Sequence, residues 1–133
     1  MPIRTHSTLA EVKEQFTKMG AALTAAATVT GITNQAHTIT IPASADTNVD
    51  VIDATNARPG QLLVLTAAGA GTGDIILRDA ANSSNSTTGK NIKCGGATGS
   101  TVALNGANDA AVFIYSGSAW LALSSFEGGA DQE

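Results

Sequence analysis

Charge is what this chain has least of. Lysine and arginine together number 7, aspartate and glutamate 11, and charged residues make up 14% of 133 positions, against roughly 25% in an ordinary soluble domain. The net charge of −4 excludes the basic footprint that binds phosphate backbones or anionic lipid, so neither nucleic acid nor membrane is an expected partner. One cysteine, Cys94, rules out an intrachain disulfide, and with only His6 and His37 beside it no zinc spacing can be written. Aromatic residues are 4%, too few for the exposed platforms of a stacking sugar binder. No apolar run approaches the ~20 residues of a membrane span. The opening MPIRTHSTLAEVKEQ has no apolar core behind its positive charges, which predicts synthesis and retention in the cytoplasm and leaves the sequons at Asn82 and Asn85 as polar loop. What fills the gap is alanine, threonine, serine, asparagine and glycine. These small neutral residues tolerate close contact, and their abundance suggests a surface much of which faces other protein.

The run LVLTAAGAGTGDIIL, Leu63 to Leu77, poses a choice between a phosphate cradle and a turn. Its glycines, Gly69, Gly71 and Gly73, fall at every second residue, and Asp74 stands where a dinucleotide fingerprint needs its third glycine. Asp74 also puts a negative charge where a phosphate loop carries lysine. DIILRD follows and then the polar AANSSNSTTG, which leaves no room for a crossover helix. The run therefore predicts a hairpin between two strands.

Two regimes divide the chain. From Thr8 to about Ala27, Leu9, Val12, Phe16, Met19 and Leu23 alternate spacings of three and four, the apolar stripe of a helix. Thr8 with Glu11 makes a capping box, and Glu14 with Lys18 a favourable pair one turn apart. Gly20 opposes a helix interior by about 1 kcal/mol. This stripe is the candidate protein interface, to be buried either on the chain's own sheet or on a neighbouring subunit. From about Gly31 the pattern is β: HTITIPA, NVDVIDA, a Pro-Gly turn in ARPG, QLLVLT, DIILRD, KNIKCGG, STVALNG, and a closing hairpin, AAVFIYSGSAWLALSSF, turning at Ser116-Gly117 between Tyr115 and Trp120. The expectation is a mainly β fold, a small sandwich or barrel of about eight short antiparallel strands with an N-terminal α-helix. Residues 1–30 read as an arm with the amphipathic helix, 31–126 as the β-domain and 127–133 as a flexible tail.

Candidate chemistry is sparse. DTNVDVIDATNA opens like a calcium loop with Asp46, Asn48 and Asp50, but Val51 and Ala57 occupy the positions that need glycine and a bidentate glutamate. Cys94 would need a base to become a nucleophile, and both histidines lie far upstream, so a half-buried strand cysteine is expected. Asp74, Asp79 and Asp109 sit beside turn residues, where aspartate serves as a local hydrogen-bond acceptor. No catalytic residue, metal site or cofactor is expected, and the chain reads as a non-enzyme.

The runs GQLLVLTAAGAGTGDIILRDAANSS and TVALNGANDAAVFIYSGSAWLAL resemble the β-domain of tailed-bacteriophage virion proteins: a G-Q-x-L-x-L strand, a G-x-I-x-L-x-D strand, and a closing strand with an aromatic, a small turn and tryptophan. The similarity spans residues 60–123. It implies a capsid decoration (cement) protein, made in the host cytoplasm and placed on the virion surface, which forms a homotrimer and contacts the major capsid protein through an N-terminal arm. The alternative is a head-fibre or tail-fibre tip that binds a host-surface carbohydrate.

Overall fold

The computed structural model describes residues 18–83, 85–95 and 100–128. These form strands β1 (Leu23–Thr24), β2 (Thr28–Val29), β3 (Ala36–Thr40), β4 (Thr47–Val49), β5 (Val51–Ile52), β6 (Leu62–Ala68), β7 (Ile75–Arg78), β8 (Asn91–Lys93), β9 (Thr101–Leu104), β10 (Ala110–Tyr115) and β11 (Ala119–Phe126), with one 3-10 turn at Ala80–Asn82. Eight strands form one sheet in the order β1-β3-β6-β10-β11-β8-β5-β2. Its two edge strands follow one another in the chain, and the sheet curls into a nearly closed barrel. A second sheet holds β4, β7 and β9.

The mainly β architecture agrees with the alternation in the sequence, but two parts of the expectation are corrected. The strands are not simply antiparallel: five of the nine pairings are parallel. Nor does a helix run to Ala27. Residues 18–27 contain no helix, and residues 8–17 lie outside those described. The Gly20 amide donates to the Ala36 carbonyl (2.7 Å) and Leu23 pairs with Ile39, so this stretch runs extended along β3. Glycine is required at position 20 because an added Cβ would collide with the buried His37 ring.

The glycine-rich run does link two strands, but not as a hairpin. β6 belongs to the barrel sheet and β7 to the smaller one, so residues 69–74 carry the chain from one sheet to the other. β3 and β4 are joined in the same way, and the two bends stack. Partners in both parallel ladders lie 28 residues apart, Ala36 opposite Val64 and Thr47 opposite Ile75. Hydrogen bonding continues through the bends: Ile41 N donates to Ala68 O (2.9 Å), Thr72 N to Ala43 O (3.0 Å), Gly73 N to Pro42 O (3.0 Å) and Thr47 N to Asp74 O (2.9 Å). A side chain at Gly71 or Gly73 would meet the backbone of Pro42 or Ala45. The alternate glycines are thus the flat side of one bend lying on another.

NVDVIDA, read as one strand, is split at Asp50 into β4 and β5, one in each sheet. The inward faces of both sheets share one core, in which Ile39, Leu63, Leu65 and Phe113 from the barrel meet Val49, Ile75, Leu77 and Leu104 from the smaller sheet. Trp120 is fully buried there, its Nε1 donating to the Ile52 carbonyl (3.0 Å), and its ring lies 4.8 Å from that of Tyr115, its cross-strand partner. The Tyr115 hydroxyl donates to Gly89 O (2.7 Å).

Two outcomes follow for stability, both read by urea unfolding. Trp120→Ala should cost about 3–5 kcal/mol, with the wild-type fluorescence maximum blue-shifted as for a dry indole. Gly71→Ala and Gly73→Ala should each cost about 1–3 kcal/mol through overpacking against unyielding backbone; unchanged midpoints would contradict the stacked-bend contact.

Candidate functional site

The buried polar residues are structural in their geometry. Asp79 Oδ1 accepts from Ala81 N (2.9 Å), capping the 3-10 turn, and Oδ2 accepts from Cys94 N (2.7 Å). Asp109 Oδ2 accepts from Asn105 N (3.0 Å) and Gly106 N (3.1 Å), while Oδ1 accepts from Gly128 N (2.6 Å). Asp74 uses its backbone, its amide donating to Asp46 Oδ1 (2.9 Å) across the stacked bends. Among the described residues, no three His, Cys, Asp or Glu side chains group as metal ligands. The turn-organising role expected of Asp79 and Asp109 is what their contacts display.

Asp50 goes further than the sequence suggested. It is 1% exposed, accepts from Arg78 Nε (2.7 Å) on Oδ1 and from Asn85 Nδ2 (2.7 Å) on Oδ2, and stands one step beyond the Val49–Leu77 pair of the parallel ladder. Burial by itself would raise its pKa; hydrogen bonds from Arg78, Asn85 and Ser83 and the Arg78 charge outweigh that and hold it below the ordinary 3.8. Cys94 is half-buried and follows β8. Burial, and next the Asp79 charge, push its thiol above the ordinary 9.0, which disfavours the thiolate a nucleophile requires.

Of the five interface candidates, Leu9, Val12 and Phe16 lie outside the described residues. The structure separates the other two. Met19 is 52% exposed, whereas Leu23 is a core residue of β1, so Leu23 is withdrawn from the interface set: its parallel pairing with Ile39 turns it inward.

Two surface features escaped the sequence reading. The first is an apolar outer face on the barrel. Leu62, Ile114 and Leu121 are cross-strand partners on β6, β10 and β11, and Val64 pairs with Val112 in the next row. Leu62, Leu121, Leu123 and Phe126 are all exposed. The signal was present in QLLVLT and AVFIY, whose apolar residues occupy both strand parities, as in strands covered on both faces.

The second is a groove of about 490 Å³ at the loop end of the barrel, between residues 32–35 and 53–61. Its walls are held firmly. His37, fully buried, accepts on Nε2 from Thr33 N and Asn34 N (both 3.0 Å), and its Nδ1 lies 2.7 Å from Ala21 O, which assigns the proton to Nδ1. On the other side, turns closed by Ala57 N to Ala54 O (3.0 Å) and Gln61 N to Arg58 O (3.0 Å) follow one another. The second holds Pro59 and Gly60 at its centre, and Gly60 takes φ +91°, the type II geometry that ARPG announces.

Comparison with family models, curated proteins and solved structures finds no match.

Asp50 has a folded-state pKa below its ordinary value, so its stabilisation is complete well above pH 3.8 and is lost as pH falls through the folded value. Asp50→Asn should cost about 2–3 kcal/mol at neutral pH, since Arg78 loses its counter-ion but keeps some solvent, and should flatten the acid limb of stability against pH. Cys94, with its raised pKa, should react with a disulfide reagent at pH 8 far more slowly in the folded protein than in urea; equal rates would contradict its burial.

Proposed function

We propose that this protein is a non-enzymatic assembly module, a structural protein that associates with copies of itself and attaches to a larger protein surface. The observation that carries the proposal is the outer face of β6, β10 and β11, where Leu62, Ile114 and Leu121 stand in one row and β11 exposes Leu123 and Phe126 on either side of Ser124 and Ser125. Large apolar side chains exposed together on one sheet face mark an interaction site. The shortage of charge in the chain as a whole, 14%, supports the same reading, because depletion of charge is a feature of interface cores.

In its most specific form the proposal is a decoration protein on a tailed-phage capsid, trimeric and attached through its N-terminal arm. Support for that form is the resemblance across residues 60–123, and its pattern residues have physical roles in this fold. Gly60 forms the turn before β6, Gly73 permits the stacked bends, Asp79 caps the 3-10 turn, and Trp120 fills the core. A pattern of scaffold residues supports a shared architecture more than a shared binding site. The face on β6, β10 and β11 is then the self-association surface, and Leu9, Val12, Phe16 and Met19 remain for the shell.

Mass measurement in solution should give an oligomer, with a trimer expected. Leu121→Glu combined with Leu123→Glu should reduce it to monomers without loss of β circular dichroism, because both side chains point outward; a strict monomer for the unaltered chain would overturn self-association. The attachment arm is tested by deleting residues 1–17, which removes no described strand, whereas a cut at residue 27 would also take β1 and the core residue Leu23. The shorter deletion should leave the barrel folded and abolish co-sedimentation with empty phage heads; a folded protein that still binds at full strength would refute the arm's role.

A further inference from the structure

We infer that the groove between residues 32–35 and 53–61 is a binding site for an acidic saccharide, with Arg58 receiving its carboxylate. The inference goes beyond the assembly role and does not depend on it. Asp53 and Lys90 neutralise each other across 3.4 Å, and Thr55 Oγ1 also donates to Asp53 Oδ1 (2.9 Å). The Arg58 guanidinium has no hydrogen bond or ion pair among the described residues, since only its backbone is engaged, with Gln61. In a chain of net charge −4, the groove thus presents one positive group that no described residue compensates. A planar guanidinium fork matches a carboxylate with two parallel hydrogen bonds.

The remaining lining decides what the carboxylate belongs to. Gln35 and Asn56 carry side-chain amides with no partner among the described residues, and Gln61, whose Oε1 accepts from Arg58 N (3.2 Å), keeps its amide donors. Amides offer donors and acceptors together, as a ring of hydroxyl groups requires. Apolar lining is limited to Ile32, Ala57 and Pro59, which gives little purchase to the side chains of a peptide. The volume of about 490 Å³ lies within the ~300–1,000 Å³ of small-ligand sites. No aromatic ring lines the groove, so a neutral sugar would lack the stacking surface that sugar sites commonly provide. The charge must supply what stacking does not, and this selects an acidic sugar over a neutral one. Preorganisation is already built in: His37 fixes one wall from behind, and the Arg58–Gln61 turn fixes the other.

The test is an amide-resolved NMR titration of the full chain with tri-galacturonate, with the neutral galactose trisaccharide and sodium acetate as comparisons. Tri-galacturonate should produce saturable shifts confined to residues 32–35 and 53–61, weakening as salt is raised. Arg58→Gln should lower its affinity about tenfold or more, as expected for loss of a charge-assisted pair, and Arg58→Lys should retain part of it. Arg58 is exposed, so both variants should keep the wild-type spectrum elsewhere. Absence of saturable shifts at ~10 mM ligand, an equal response to the neutral trisaccharide, or acetate binding as tightly as tri-galacturonate would each overturn the inference. Oligomer mass and the Leu121 and Leu123 substitutions report on assembly separately, so failure of one reading is distinguishable from failure of the other.

Discussion

The stacking of two chain bends is the constraint on which this structure depends. β3 turns into β4 and β6 turns into β7, and each pair crosses from the barrel sheet to the smaller one. The second bend lies directly on the first, with the same register in the ladders on either side and backbone hydrogen bonds across the corner. Parallel strands ordinarily need a long crossover, usually a helix. Here the crossover is made by the other sheet, so a helix is unnecessary. The cost falls on the corner, where two backbones approach so closely that Gly71 and Gly73 cannot carry a side chain. Asp50 and Arg78 close the same register at its far end, where a buried carboxylate meets its counter-ion at 2.7 Å.

A chain with few charges has placed several of them inside. Asp50, Asp79 and Asp109 are each almost wholly buried, and each is matched by backbone amides or by a cation and an amide side chain. His37 does the same for the loop at residues 33 and 34. Among the described residues no buried side-chain nitrogen or oxygen lacks a partner, which is what a low-dielectric interior demands. These groups order loops that contain few apolar residues and could not be ordered by packing. The firm walls of the groove are one result.

The division of the surface follows from the same architecture. Strands β6, β10 and β11 lie side by side in the barrel sheet, so apolar residues of both parities must go somewhere: one set fills the core, and the other stands on the outside. Loops at the end of the barrel gather polar side chains instead. The apolar sheet face and the polar groove thus differ in chemistry, the first built from strand residues and the second from loop side chains that include the Arg58 guanidinium.

Much of the strand content was legible locally. HTITI alternates inward and outward as its periodicity states, QLLVLT and AVFIY are strands as their β-branched and apolar runs state, and the turn at Ser116-Gly117 with Trp120 buried beside it follows from the residues themselves. Turn aspartates were legible too, because an aspartate beside small residues acts on its own neighbours. Position 23 was not: leucine there satisfies both a helical stripe and a strand alternation, and only the presence of Ile39 alongside decides for the strand. The glycine-rich run was read correctly as a turn, but not as a passage between sheets, because local residues specify that the chain bends and not which strands lie beside it afterwards. The groove was illegible for the same reason, since Arg58, Gln35 and Asn56 are unremarkable in sequence and converge only when two turns and a histidine-held loop meet. Periodicity and turn chemistry act over a few residues and were determined by the sequence alone. Parallel register, sheet membership and the convergence of side chains depend on contacts between distant segments, and those were decided by the tertiary structure.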